Sequence, residues 1–220
     1  MRYKAVLFDM DGTVLDTLGD LTNAVNHSLS VFSMPEHSRI EVANFLGNGA
    51  RYLIEHAVPA GTDPALTEKV LAYYSPWYNT HCAILTAPYP GIVPMMEALK
   101  QAGVKQAVIS NKQDCAVKPL AAQHFPGLLD FAVGESATVR RKPNPDAVLA
   151  ALKEMGVSRE EAIYVGDTEV DIETAKNAQL DCAVVSWGFR TVEQLRRVWS
   201  GRIFASAGEL QAFLLGQEIR

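Results

Sequence analysis

Two aspartates one residue apart close an apolar run: Tyr3 to Phe8 lead into Asp9, Met10, Asp11, Gly12 and Thr13. Strand side chains alternate, so Asp9 and Asp11 point the same way if the extended backbone persists, while Gly12 frees the chain to turn. Such a pair can hold a cation and attack an electrophile, although Asp and Gly are also ordinary turn residues. Three further chemical elements fall at or just beyond expected strand ends: Ser110, Lys142, and Asp167 with Asp171. Each has a plainer reading taken singly. The serine suits a turn, the lysine beside Arg140 and Arg141 suits a solvated surface, and acids at a helix start suit the macrodipole. A calcium loop is a poor fit, because the third acidic position and the later glycine and glutamate of an EF-hand are missing. His27, His37, His56 and His81 show no metal-ligand spacing.

These side chains need elements to bring them together. Leu18, Leu21, Val25, Leu29 and Phe32 share one face of a helix that Pro35 helps to end. Ser38 with Glu41 has capping-box spacing and opens a second helix, which stops before Gly47, Asn48 and Gly49. Asp63 and Pro64 read as an N-cap and first helical position, followed by Leu66, Val70, Tyr74 and Trp77 on one face, with Pro76 expected to bend or end that helix. Residues 16–82 are thus expected to be helical. After the turn-rich stretch Pro88 to Gly91 the rhythm becomes helix, strand, helix. A helix carries Val93, Met96 and Leu99 and stops near Gly103; a strand at Gln106 to Ile109 ends at Ser110 and Asn111. Pro145 to Met155 is helical, Ser158 and Glu161 repeat the capping-box spacing, and strands follow at Ala162 to Val165 and Ala183 to Val185. This alternation predicts an α/β fold, a Rossmann-like parallel sheet with helices on both faces and a site beyond the carboxyl ends of the strands. Residues 1–15 and 83–220 form the expected core, and 16–82 an inserted α-helical cap.

Composition sets outer limits. With 220 residues and 48% hydrophobic content the chain can bury a sizeable core, and a net charge of −5 gives no general attraction to nucleic acid or anionic lipid. Cys82, Cys115 and Cys182 are widely separated and lack zinc spacing, which reads as reduced thiols and a cytoplasmic protein. No run reaches the ~18 to 20 apolar residues of a membrane span.

The spellings D-M-D-G-T from Asp9, V-I-S-N from Val108, R-K-P-N-P from Arg141 and G-D-T-E-V-D from Gly166 occur in that order over nearly the whole chain. With a helical insertion between the first and second, this series resembles the haloacid dehalogenase-like phosphohydrolases. The resemblance implies that Asp9 attacks phosphorus to form an aspartyl-phosphate and that Asp11 acts as general acid and then base. It implies Mg2+ held by Asp9, Asp167 and the backbone carbonyl of Asp11, with Asp171 orienting a metal-bound water. Ser110 and Lys142 would then meet phosphoryl oxygens, with Asn111 and Thr13 adding polar contacts nearby. A carbon–halogen displacement has no need of the acid at Asp11.

Gly47, Asn48 and Gly49, followed by Ala50 and Arg51, lack the third glycine and the preceding strand of a dinucleotide fingerprint. A G-N-G loop opening a helix instead resembles the cap of phosphoglycolate phosphatases, with loop amides meeting the substrate carboxylate and Arg51 adding charge; a plain helix-to-helix turn with a solvated Arg51 is the alternative. The resulting expectation is a phosphatase acting on a small phosphorylated metabolite, with 2-phosphoglycolate leading and pyrophosphate, nucleotides and sugar phosphates, including mutase chemistry, as alternatives. A noncatalytic phosphate-binding protein is the competing class. Oligomeric state is left open.

Overall fold

The computed structural model describes residues 2–217. The chain begins with β1 (Ala5–Phe8), whose four residues are all buried and whose side chains divide between two cores. Val6 and Phe8 join the larger apolar cluster on one face of the sheet, and Ala5 and Leu7 join the smaller one on the other, as the period of two requires. A short strand β2 (Leu15–Asp16) follows and leads into α1 (Leu18–Val31), α2 (Arg39–Phe45), α3 (Gly49–Ala57) and α4 (Pro64–His81). The chain returns through β3 (Ala87–Pro88), which pairs antiparallel with β2 in a two-stranded ribbon.

Alternation then takes over with α5 (Ile92–Gln101), β4 (Lys105–Gln113), α6 (Asp114–His124), β5 (Phe131–Glu135), α7 (Asp146–Met155), β6 (Ala162–Gly166), α8 (Glu169–Ala178), β7 (Asp181–Val185), α9 (Val192–Val198), β8 (Ile203–Phe204) and α10 (Ala207–Leu214). Six strands form a parallel sheet in the order β5-β4-β1-β6-β7-β8, with β1 between β4 and β6. This is the expected α/β architecture. The inserted helices pack on one another and on the larger core, through Val25 and Leu29 of α1, Leu53 and Ile54 of α3, and Val70, Tyr74 and Tyr78 of α4.

Local expectations meet three corrections. Helix α4 runs on through Pro76 to His81 rather than stopping there. A proline within a helix costs ~3 kcal/mol, and burial of Tyr74 before it and Tyr78 after it on one face outweighs that loss. Strand β4 does not end at Ser110 and Asn111 but continues to Gln113, with its register against β5 shifting between Ile109 and Gln113. Polar residues read as a strand end, yet here their side chains are buried and hydrogen-bonded. Ser158 and Glu161 frame only a 3₁₀ turn, Arg159–Glu161. By contrast, the capping box at Ser38 and the cap at Asp63 form as expected.

The ribbon junction is fixed by one carboxylate. Asp20, 2% exposed on α1, accepts from the amides of Ile84, Leu85 and Thr86 and from the Thr86 hydroxyl, all at 2.9–3.1 Å. Four donors of the returning chain depend on it. Asp20→Ala should therefore destabilise the protein by about 2–3 kcal/mol, read as a lowered denaturation midpoint with unchanged m-value; a loss under 0.5 kcal/mol would show that the return segment holds itself.

Candidate active site

Asp9 follows the last residue of β1 at the carboxyl edge of the sheet, and its amide donates to Val165 O at 2.9 Å. The chain then turns sharply: the amides of Val14 and Leu15 both donate to Met10 O, at 3.1 and 2.9 Å, and Gly12 donates to Leu15 O. Gly12 has φ +84°, and a Cβ there would stand 2.5 Å from Asp167 Oδ2. Only glycine lets this turn lie against the second acid.

Asp9, Asp167 and Asp171 are buried together, with one carboxylate oxygen from each lying within 4.8 Å of the others. One buried ammonium faces them. Lys142 Nζ lies 2.7 Å from Asp9 Oδ1 and 2.8 Å from Asp171 Oδ1, and donates to the Tyr164 hydroxyl at 3.1 Å. Three negative charges meet one positive charge, and the titration of the group reflects it. Burial, then Asp171, Asp167 and Asp11, push Asp9 well above the ordinary carboxylate range, against the pull of Lys142. Burial and Asp171 push Asp167 up to about 7, although hydrogen bonds from Phe189 N (2.7 Å) and Thr13 Oγ1 (2.9 Å) oppose the rise. Burial disfavours the Lys142 ammonium, yet Asp171 and Asp9 hold it firmly protonated. A cluster of hard oxygen donors with surplus negative charge fits a divalent cation held by carboxylates.

Asp171 also serves its own helix, its Oδ2 accepting from the Thr168 amide at 3.1 Å and hydroxyl at 2.7 Å. The helix-start reading of this residue holds, and its other oxygen faces Lys142. Asp11 turns towards β4, where its carboxylate meets Lys112 Nζ at 2.8 Å and Ser110 Oγ at 3.4 Å. Ser110 lines the cleft with Asp9, Asp11, Asn111, Lys112 and Lys142.

Asn111 lines the cleft, but its amide is committed to backbone. Nδ2 donates to Gly47 O (2.9 Å) and Lys142 O (3.0 Å), and Oδ1 accepts from Lys142 N (2.7 Å). It thus fixes the lysine loop and the cap loop instead of offering its amide to a phosphate. Thr13 likewise gives its hydroxyl to Asp167. Sequence reasoning missed Lys112, Tyr78, Tyr164 and the amide of Phe189; the one available signal was Lys112 standing directly after Ser110 and Asn111.

The glycine loop sits at the boundary between helices and sheet. Gly47 and Gly49 line the cleft, Asn48 does not, and Arg141 Nη1 donates to Asn48 O at 3.3 Å. Arg51 is a correction to the expected site: it lies outside the cleft lining, and its guanidinium pairs with Glu68 on α4 and with Glu55 at 3.7 Å on the outer face. Arg190, 7% exposed, completes the closure by donating to Ala43 O (2.9 Å) and Leu46 O (2.8 Å) while pairing with Glu169. These carbonyls belong to the carboxyl end of α2, where a cation suits the dipole.

A parallel sheet with an acid cluster at its carboxyl edge beneath inserted helices defines a hydrolase class. The family model for haloacid dehalogenase-like hydrolases matches residues 6–185, and the chain belongs to that family. Its relatives narrow the group. Phosphoglycolate phosphatase 1 of Pseudomonas aeruginosa is 35% identical over 192 residues, covering 84% of this chain and 70% of that protein. A phosphoglycolate phosphatase of Aquifex aeolicus is 33% identical over 187 residues, covering 84% and 86%. A crystal structure from Lactobacillus delbrueckii subsp. bulgaricus, provisionally assigned the same activity, superposes with TM-score 0.94 at 38% identity, covering 99% of this chain and all of that one. The chain is a phosphatase of this phosphoglycolate phosphatase-like group, acting on a small phosphorylated substrate. Among the described residues no helix is long and apolar enough to cross a membrane.

The raised carboxylates fix the sign of the pH dependence. Asp167 keeps its proton up to about pH 7 in the metal-free protein, so its contribution to stability is present at low pH and is lost as pH rises through 7. A divalent cation must displace that proton. Its affinity should climb by up to about tenfold per pH unit for each proton displaced, with the Asp167 part of the rise ending near pH 7; calorimetric titration from pH 5.5 to 8 showing a flat profile would exclude protonated acids at the site.

Proposed function

We propose that this chain is a magnesium-dependent phosphatase that hydrolyses 2-phosphoglycolate through an aspartyl-phosphate on Asp9. The observation that carries the reading is the Asp9 carboxylate at the sheet edge, 2.7 Å from the Lys142 ammonium and grouped with two further buried acids. Attack by a carboxylate oxygen on phosphorus forms the Asp9–phosphoryl bond as the ester oxygen departs, and Asp11 gives that oxygen a proton. In the second half Asp11 takes a proton from water, whose oxygen displaces the phosphoryl group and restores the Asp9 carboxylate. Ser110 and Lys142 receive phosphoryl oxygens throughout. Asp9, Asp167 and the Asp11 carbonyl, with Asp171 alongside, would hold Mg2+, which would supply positive charge against those oxygens.

The inner cleft has a volume of about 60 Å³, room for on the order of four to six waters at ~10–15 Å³ each, and it opens to solvent beyond. A two-carbon phosphate ester can enter it. Gly47 and Gly49 line the cleft around the N-terminus of α3, a helix end that suits an anion.

Asp9→Asn should fold normally and lose turnover by at least ~10⁴-fold; multiple turnover within tenfold of the parent would remove Asp9 as nucleophile. Chelation should abolish activity and Mg2+ restore it, and full activity in metal-free buffer would contradict the cation requirement. A panel of kcat/KM values for phosphoglycolate, pyrophosphate, nucleotides and sugar phosphates ranks the substrates.

Asp11→Asn has a different signature. An alkyl phosphate, whose leaving oxygen needs a proton, should lose at least tenfold more rate than p-nitrophenyl phosphate. Equal losses on both esters would argue that Asp11 only shapes the turn.

A further inference from the structure

The cleft lining contains two cations, and they are not equivalent. Lys142 sits at the reacting end, its ammonium 2.7 Å from Asp9 Oδ1 and 2.8 Å from Asp171 Oδ1 while donating to the Tyr164 hydroxyl at 3.1 Å. Lys112 is almost as deeply buried, 9% exposed, but it faces the helices. Its ammonium has two partners: Asp11 Oδ1 at 2.8 Å, and the hydroxyl of Tyr78, over whose ring it also sits, 4.6 Å from the centroid. A lysine has three donors, so one is left for a ligand.

Burying an ammonium is costly, and a single shared carboxylate offsets it incompletely. Leu21, Leu46, Leu53 and Tyr74 line the same cleft alongside polar Ser75 and Asn79, and the burial of Lys112 leaves a charge placed opposite it less screened than at the surface. The position is also tied to the phosphoryl end, because the Lys112 amide donates to Ser110 Oγ at 3.1 Å. A ligand with a phosphoryl oxygen at Ser110 shares the cleft with Lys112. Two other cations are committed elsewhere, Arg51 to Glu68 and Glu55 and Arg190 to Glu169 and two carbonyls, while Arg141 holds Asn48 O and is outside the cleft lining.

We propose that Lys112, aimed by Tyr78, is the specificity-determining residue that binds a carboxylate carried by the substrate one carbon from its phosphate ester oxygen. The proposal rests on the phosphatase reading above and narrows its substrate class to short phosphate monoesters of 2-hydroxy acids. The ammonium then bridges Asp11 and the substrate carboxylate, and a neutral ester gains no such contact. Tyr78 comes from α4, so the recognition element is complete only when the helices sit on the sheet as they do here.

The test compares phosphoglycolate with 2-hydroxyethyl phosphate, which replaces the carboxylate by a neutral alcohol, in wild type, Lys112→Met, Lys112→Arg and Tyr78→Phe. Wild type should prefer phosphoglycolate in kcat/KM, and Lys112→Met should shrink that preference by roughly 10- to 100-fold, since a general loss cancels in the ratio. Lys112→Arg should recover part of the preference, and Tyr78→Phe should weaken it less than Lys112→Met does. Binding gives a second readout that needs no turnover: in the presence of Mg2+, 3-phosphonopropionate should bind more tightly than propylphosphonate to wild type, and near equally to Lys112→Met.

Outcomes separate the two levels of the argument. If wild type favours the carboxylate ligands and Lys112→Met keeps that preference, the proposal is overturned while the substrate reading stands. Equal losses on both esters with an unchanged ratio also overturn it and assign Lys112 to Asp11 alone. A wild type indifferent to the carboxylate in both turnover and binding overturns the proposal and the phosphoglycolate reading together. An enzyme that binds the carboxylate ligand through Lys112 but turns over neither ester supports the proposal and removes the phosphatase substrate assignment.

Discussion

Three buried carboxylates facing one buried ammonium are the constraint on which this structure turns. Such a group is unstable unless its charge is met by protons or a cation: burial first, and the neighbouring Asp171 second, push both Asp9 and Asp167 upward. The surroundings do not relieve it; they position it. Thr13 and Phe189 hold the two oxygens of Asp167, Thr168 holds Asp171, and Asn111 grips the Lys142 backbone from both sides. A site assembled from four separate chain segments thus keeps its geometry while remaining electrostatically unsatisfied, which is the condition for holding a charged ligand tightly.

Much of this was legible in the sequence, because the decisive acids stand where strands end and strand ends carry local signals. Apolar runs stopping at Asp9 and Gly166 were enough to place both at the same edge of one sheet. What was not legible depends on partners distant along the chain. Arg51 finds Glu68 on another helix, and nothing around Arg51 distinguishes that outward pairing from a role in the cleft. Asn111 contacts Gly47 and Lys142, so its tethering role exists only once three loops have met. Lys112 hid for a related reason: a charged residue after Ser110 reads as the solvated end of a strand, and only the burial provided by Tyr78 makes it otherwise. Pro76 misled in the opposite direction, since tertiary packing overrode a strong local breaker.

Beside the shared apolar core, several contacts joining the helices to the catalytic edge are polar and run to backbone carbonyls. Arg190 reaches Ala43 O and Leu46 O, Arg141 reaches Asn48 O, and Asn111 reaches Gly47 O. Carbonyls of loops and helix ends accept water readily, so these bonds can be exchanged with solvent at small net cost. The seal over the cleft is therefore specific in register without being bonded by apolar surface at those points.

The β2 and β3 ribbon places the outgoing and returning chains side by side, hydrogen-bonded at Leu15 with Pro88 and at Asp16 with Ala87. Seen from the sheet, the intervening helices form a loop whose two ends coincide. Chains of any length can be accommodated between adjacent anchor points without changing the path on either side. The helical segment is thus a cassette: its helices can be lengthened, shortened or re-angled while the anchors stay fixed, leaving Asp9 and Ser110 where they are. The covering of the cleft can accordingly change while the strands keep Asp9, Ser110 and Lys112 in place within one continuous polypeptide.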